Sequence, residues 1–476
     1  MSDKEFLQEV DAFIDANWEE IVEEIGKLVA VPSVVDFDRA TPEDPSGPEA
    51  HDGLRASVDL AARLGFDAKD DAGEIGIADL KGESDTLLAM ICHSDVVAPG
   101  VGWTLDPWSM LRKDGFLIGR GTLDDKGPLV VSLYCMKFFK ERMEQQGFKL
   151  PYTLRMLIGT NEETGTMRDV AYYLEHYDAP AFLFTPDDMF PVCYGEKGGF
   201  DGLFTSQKFE DGAIIDFTTG DASTNAVPSQ ATLVVKADLA ALPAADGIEI
   251  TAVEGGAKLV ATGRGGHASM PEGTVNAIGM LVDYALENNL CTEEENAFLR
   301  MAQRVMASTD GSSIGIDTCD GFFDPLTCIA GNIHLVEGRL KLTIDIRFPT
   351  STSKDDLMAK FAPIAAEGNA AFENTLLMEP FLMDPESPVI KALAASYRDA
   401  TGLDGDPFTI GGGTYAREFP CAASFGPEDP HDSYPDWVGP MHGADEGISE
   451  ETLKRAMRVY ILTIKRLLEI DLSTLA

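Results

Sequence analysis

Several short segments set imidazole or carboxylate groups where they could share one task. His93-Ser94-Asp95 closes the apolar run TLLAMICH (86–93), and Glu162-Glu163 follows YTLRMLIG (152–159). Asp187-Asp188 follows AFLFT (181–185), Asp124-Asp125 sits in the glycine-flanked stretch GRGTLDDKGP (119–128), and His442 in MHGADE precedes the last helical stretch. Adjacent glutamates in a partly buried place repel, and one is driven toward its protonated form unless a cation lies between them. The chain therefore either solvates both carboxylates or supplies a cation. Oxygen and nitrogen donors without cysteine suit zinc, manganese or cobalt, and the imidazoles argue against calcium. Two such ions sharing a carboxylate can generate a hydroxide near neutral pH and polarise a carbonyl, one glutamate binding metal while its neighbour stays free as a base.

Each segment alone has an ordinary explanation. A His-x-Asp pair is commonly a satisfied core feature, paired glutamates a solvated face, and paired aspartates a turn and helix cap. What joins them is their position at the ends of predicted strands, because ligands bind in the crevice beyond the carboxyl ends of strands in open α/β sheets.

The elements that must hold these groups are readable from periodicity. Phe6, Val10, Phe13, Ile14, Trp18, Ile21, Val22, Ile25 and Leu28 recur at steps of three and four, which predicts one long helix ending before Val31-Pro32. Short β-type runs then alternate with helical ones near 127–146 and 167–176, the signature of a mixed or parallel sheet covered by helices. From about 193 to 385 the texture turns β-rich, with ATLVVKADL and RLKLTIDIRF flanking a helical stretch after Pro271. Helical α/β character returns at 387–402 and closes in a helix from Glu450, N-capped by Ser449. The expected architecture is a discontinuous α/β domain, 1–192 and 386–476, with a second domain, 193–385, inserted in it.

The totals narrow the function. Across 476 residues, 80 Asp and Glu outweigh 37 Lys and Arg, a formal net charge of -43. That balance argues against nucleic acid or an anionic membrane as partner, since both reward clustered cations. The seven cysteines are scattered without a CxxC pair and read as reduced thiols of a cytoplasmic protein. No basic region leads into an apolar segment at the start, and no run approaches the ~18 apolar residues that span a bilayer.

Seven ordered blocks carry a resemblance: HSDVVAPGVGWTLDPW (93–108), GRGTLDDKGP (119–128), GTNEETG (159–165), TPDDMFPVCYGEKG (185–198), GRGGHASMPEGTVNAI (263–278), DIRFP (345–349) and GGGTYAR (411–417). Together the chain resembles the co-catalytic metallopeptidase family of aminoacylases, carnosinases and glutamate carboxypeptidases, and within it the bacterial PepV-type dipeptidases. The resemblance implies a discontinuous α/β metallopeptidase catalytic domain with an inserted α+β lid domain, and two divalent ions, Zn2+ first, Mn2+ or Co2+ as options. By position it implies that Asp124 bridges the ions, that His93 and Asp187 complete one site, and that Glu163 and His442 complete the other. Asp95 would orient the His93 ring, and Glu162 would take a proton from the bridging water. The Asp124-Asp125 peptide is expected to be cis.

From the inserted domain, His267 resembles the family's oxyanion donor, and Arg347 a fork for the substrate's terminal carboxylate. The loop through Gly412, Gly413, Thr414 and Arg417 would grip that carboxylate too, largely by main-chain N–H groups, and Asn225 is a further substrate contact on a looser match. Two positions depart from the family pattern: Asn161, where Asp is commoner, and Asp188, where Ala is. The implied activity is hydrolysis of dipeptides with a free C-terminal carboxylate, by a monomer whose long insert supplies His267 within one chain. An N-acyl amino acid deacylase and a non-catalytic peptide binder are the alternatives.

Overall fold

The structure is a computed structural model that describes residues 2–220 and 222–475. Contacts divide the chain into two compact units, Met1–Gly195 with Leu382–Phe408 and Gly413–Ala476, and Glu196–Phe381 with Thr409–Gly412. The boundaries cut the predicted substrate loop, since Gly411 and Gly412 belong to the second unit and Gly413, Thr414 and Arg417 to the first.

In the first unit a mixed sheet contains Asp67–Asp71, Ile75–Leu80, Thr153–Gly159, Leu87–His93, Phe182–Thr185 and Ala422–Ser424 in that spatial order. The first two pair antiparallel, and Ile75–Leu80 runs antiparallel to Thr153–Gly159. The other four strands are parallel, with His93 opposite Gly159, Met90 opposite Phe184 and Thr185 opposite Ser424. Their carboxyl ends therefore share one rim. Both faces of these strands are covered, so Leu87–His93 and Phe182–Thr185 read as continuous apolar runs rather than alternating ones.

Helices supply the cover. Asp3–Val29 starts in a capping box, the Ser2 hydroxyl accepting from Glu5 N and the Glu5 carboxylate accepting from Ser2 N, and buries Phe6, Val10, Ile14, Trp18, Ile21 and Ile25. Lys126–Gln146 is buried all round through its first three turns, from Lys126 to Met136, as befits a helix packed between other helices and the sheet. Phe138 meets Phe6 edge-on at 5.6 Å, tying these two helices together. Glu450–Leu467 closes the layer, capped by Ser449, whose hydroxyl accepts from Thr452 N.

The second unit is built on an eight-stranded sheet whose recorded neighbours are all antiparallel, ordered Ile248–Val253, Gly256–Thr262, Gln230–Val235, Ile214–Thr218, Thr327–Val336, Arg339–Phe348, Gly198–Ser206 and Ala370–Met378. Helices Ala277–Glu287, Glu293–Met306 and Lys354–Glu367 lie against it, and Phe361 stacks on Phe372 at 4.6 Å in the core. All seven cysteines are free thiols. Among the described residues no helix is long and apolar enough to cross a membrane.

Candidate metal centre and active site

His93 ends its strand fully buried. Its Nδ1 lies 2.8 Å from the Asp95 main-chain oxygen. A carbonyl only accepts, so Nδ1 carries the proton and Nε2 is left as the atom for a ligand. The nearer contact to Asp95 is thus through the main chain, since the carboxylate lies 3.5 Å away. That carboxylate instead accepts from Glu162 N (3.4 Å) and Glu163 N (3.2 Å), so it shapes the backbone that presents the glutamate pair.

Asp124 and Asp125 precede the helix Lys126–Gln146, and the peptide between them is cis. The two Asp124 oxygens face different imidazoles: Oδ1 is 2.9 Å from His93 Nε2, and Oδ2 is 2.9 Å from His442 Nε2. His442 Nε2 also meets Glu163 Oε2 at 3.1 Å, and His93 Nε2 is 3.8 Å from Asp187 Oδ2. All five predicted ligands are therefore brought together, each imidazole turned toward two carboxylates. Glu162 is drawn in as well. Donor atoms of His93, Glu162 and Asp187 lie within 4.8 Å of one another, as do those of His93, Asp124 and Glu163. The glutamate expected to stand free as a base thus sits at ligand distance.

Crowding shows in the protonation of the acids. Burial pushes Glu162 well above the usual carboxylate range, and the charges of Glu163 and Asp124 add to it. Burial and Asp124 raise Asp187 in the same way, and Glu163 follows for the same two reasons. Burial works to raise Asp124, yet hydrogen bonds from His442 and His93 overcome it and hold the carboxyl low. His442 is pushed up to about 10 by its bonds to Asp124 and Glu163. Acids that resist ionising and imidazoles that hold their protons are what a protein shows where positive charge is short. Divalent cations fit this donor set, which offers carboxylate oxygen and imidazole nitrogen and no sulfur.

Residues outside the predicted set hold the loops in place. Glu446, fully buried, accepts from the main-chain N–H groups of Gly121 (2.9 Å), Leu123 (3.1 Å) and Asp124 (3.2 Å), and its second oxygen pairs with Arg120. Arg120 in turn donates to the carbonyls of His442 (3.2 Å) and Gly443 (3.3 Å). This one pair ties the Asp124 loop to the His442 loop, and it restrains His442 at φ 61, a left-handed conformation that costs a non-glycine residue about 1 kcal/mol. The signal was faint: Glu446 closes the MHGADE segment and Arg120 lies inside GRGTLDDKGP, but nothing in their spacing pairs them. Asp169 does a similar service for the glutamate loop, accepting from Thr160 N (2.7 Å), Asn161 N (3.0 Å) and the Tyr415 hydroxyl. A Cβ at Gly159 would lie 1.9 Å from Tyr415 Oη, so only glycine lets that hydroxyl in. Asn161, one of the departures from the family pattern, faces Thr166 and Arg168 N through its Oδ1.

The predicted substrate residues fall into two groups. In the second unit Ala226 pairs with His267, and the Asn225 carbonyl accepts from Ala268 N at 2.9 Å, which sets Asn225 beside His267. Ser269 N–H donates to His267 Nδ1 at 3.2 Å, so the ring proton sits on Nε2, the tautomer a donor needs. Partial desolvation and the nearby Arg347 charge lower the pKa of His267 and keep the ring neutral at pH 7. Arg347 is held by Asp345, which takes Nε (2.9 Å) and Nη2 (2.7 Å), while Nη1 lies 3.5 Å from the Gly411 carbonyl. Its side-on face is occupied, and the end-on face formed by Nη1 and Nη2 is left for another anion. In the first unit the Arg417 guanidinium lies where a Gly413 Cβ would be, 2.8 Å from it, and Thr414 Oγ1 bonds Ser424 Oγ at 2.9 Å.

Acids and imidazoles gathered at the carboxyl rim of parallel strands, His93 and Asp124 buried and His442 exposed, fit a hydrolase of the metal-site class. The chain belongs to Peptidase family M20/M25/M40, whose model matches residues 89–466. It is 29% identical over 467 residues to the putative dipeptidase YtjP of Bacillus subtilis (strain 168), covering 94% of this chain and 97% of the relative. It is also 29% identical over 475 residues to the Beta-Ala-Xaa dipeptidase of Lactobacillus delbrueckii subsp. lactis, covering 95% and 97%. Among solved structures the di-peptidase Dug1p from Saccharomyces cerevisiae shares the fold, with a TM-score of 0.62 at 12% identity over 99% of this chain and 100% of the other.

Proposed function

We propose that this peptidase is a dipeptidase that cleaves dipeptides bearing a free C-terminal carboxylate. The observation that carries the reading is Asp124, whose two oxygens each face a different imidazole while Glu162 and Glu163 stand alongside. Full-length similarity to relatives named as dipeptidases supports the choice of substrate class.

His93 and Asp187 would hold one divalent ion, Glu163 and His442 a second, with Asp124 between them and Zn2+ the first candidate. Bound there, such ions polarise the peptide carbonyl and make a water acidic. Glu162, whose carboxylate form bound cations would favour, takes the proton of the attacking water and passes it to the leaving amine. Its carboxyl is presented by the loop that Asp95 and Asp169 hold. His267 donates from Nε2 to the developing oxyanion, and Arg347 and the glycine loop take the terminal carboxylate, Arg347 through the end-on face that Asp345 leaves open. A cytoplasmic monomer, with residues 193–385 as its lid, completes the reading.

Comparing turnover of Ala-Ala, β-Ala-His and N-acetyl amino acids, with metal analysis of the same preparation, tests it. Preference for the free dipeptides with two ions per chain is expected. Faster release of acetate from N-acetyl amino acids would make the chain a deacylase, and no turnover with metal bound would make it a peptide binder.

A further inference from the structure

Three of the four parallel strands deliver acids that the reading above employs. The fourth, Ala422–Ser424, runs parallel to Phe182–Thr185 and ends at the same rim, then continues through Phe425-Gly426-Pro427 to Glu428. Pro427-Glu428 lie parallel to Asp188-Met189, with Asp188 N donating to the Gly426 carbonyl at 2.9 Å and Phe190 N to the Glu428 carbonyl at 2.8 Å. Glu428 is thereby fastened to the segment that directly follows Asp187.

Its main chain is engaged and its carboxylate is not. Among the described residues no hydrogen bond or ion pair reaches the Glu428 side chain, and it belongs to neither group of donors that can meet on one ion. Its neighbours are all committed. Asp429 takes the Tyr397 hydroxyl (2.9 Å) and His431 Nδ1 (2.8 Å), and Asp432 takes Arg455 and the Thr452 hydroxyl (2.8 Å). Burial first, and then the charges of Asp124 and Asp432, push this partly buried carboxyl up to about 7, and no side-chain cation faces it among the described residues.

An unpaired acid in that place calls for a cation that arrives with the substrate. We infer that Glu428 binds the free α-ammonium group of the dipeptide, and so is the specificity-determining residue that separates dipeptides from N-acyl amino acids. The inference rests on the dipeptidase reading and adds to it the group that recognises the amino end. A charge-assisted hydrogen bond of this kind is worth about two powers of ten in discrimination, because an analogue without the amine leaves the carboxylate desolvated and unpaired.

Propionyl-alanine, which is Ala-Ala without its amino group, is the probe. Wild type is expected to favour Ala-Ala over propionyl-alanine by about 100-fold in kcat/KM. In Glu428→Gln that ratio is expected to collapse below about 10-fold, mainly through a higher KM for Ala-Ala, with metal content equal to wild type. Glu428→Asp, which keeps the charge, is expected to restore part of the preference. An unchanged ratio in Glu428→Gln, an equal loss on both substrates, or a loss of bound metal overturns the inference while leaving dipeptide hydrolysis by the wild type standing. Wild type that cleaves propionyl-alanine and ignores Ala-Ala overturns the dipeptidase reading, and the inference falls with it.

Discussion

The two units handle buried charge in opposite ways. In the first, Asp95, Asp124, Asp125 and His93 are buried at one strand rim with Glu162, Glu163 and Asp187 crowded beside them, so acids outnumber the imidazoles they face. In the second, the buried acid Asp345 is matched by Arg347 at 2.7 and 2.9 Å, and His267 sits exposed with its Nδ1 accepting from Ser269. In the second unit Asp201, opposite Asp345 in the sheet, is pushed up to about 6 by burial and that charge; in the first several acids crowd one rim. A centre that needs cations betrays itself by like charges packed together, which burial makes expensive. Residues that grip a substrate leave no such mark, since a satisfied arginine or a surface histidine looks the same whether or not it has a task.

That contrast can be broken at several points. The largest effect is expected from Glu162→Gln, which removes the base but leaves the donors of both sites: kcat should fall about 1,000-fold, with metal content by elemental analysis unchanged. Turnover within a few-fold of wild type would remove Glu162 from the proton path, and a loss of metal would make it a ligand. Next comes His267→Ala in the second unit, expected to cost about 100-fold in kcat with little change in KM or in metal affinity. Weaker metal binding in that variant would erase the division of labour drawn here. A smaller effect is expected from Glu446→Ala, which unties the Asp124 loop from the His442 loop: metal affinity by titration calorimetry should drop about 10-fold. Metal affinity equal to wild type would show that the two loops hold their geometry without this pair.

Much of the catalytic frame was legible because its signals are local. The apolar runs that end at His93, Gly159 and Thr185 are strands, and the steps of three and four from Phe6 to Leu28 make the helix Asp3–Val29. What escaped was nonlocal or ordinary in texture. The helix Pro48–Arg63 and the strand Asp67–Asp71 carry enough polar residues to look like loop, and it is packing on the sheet that orders them. Arg347 and Asp345 lie two apart on one strand, the spacing that places side chains on the same face, so their pairing was available in DIRF before any fold was known. The pairs Arg120–Glu446 and Asp169–Tyr415 had no comparable signal.

By itself the sequence determined which donors exist, in what order, and that those of His93, Glu163 and Asp187 fall where an apolar strand gives out, because hydrophobic periodicity and turn chemistry act over a few residues. Only the tertiary structure decided which oxygen meets which nitrogen. Asp124 stands between His93 and His442 because a parallel sheet brings strand ends to one rim and because Glu446 and Asp169 draw distant loops together over it. Such closures are fixed by hydrogen bonds between segments far apart in the chain, and short-range patterns carry no record of them.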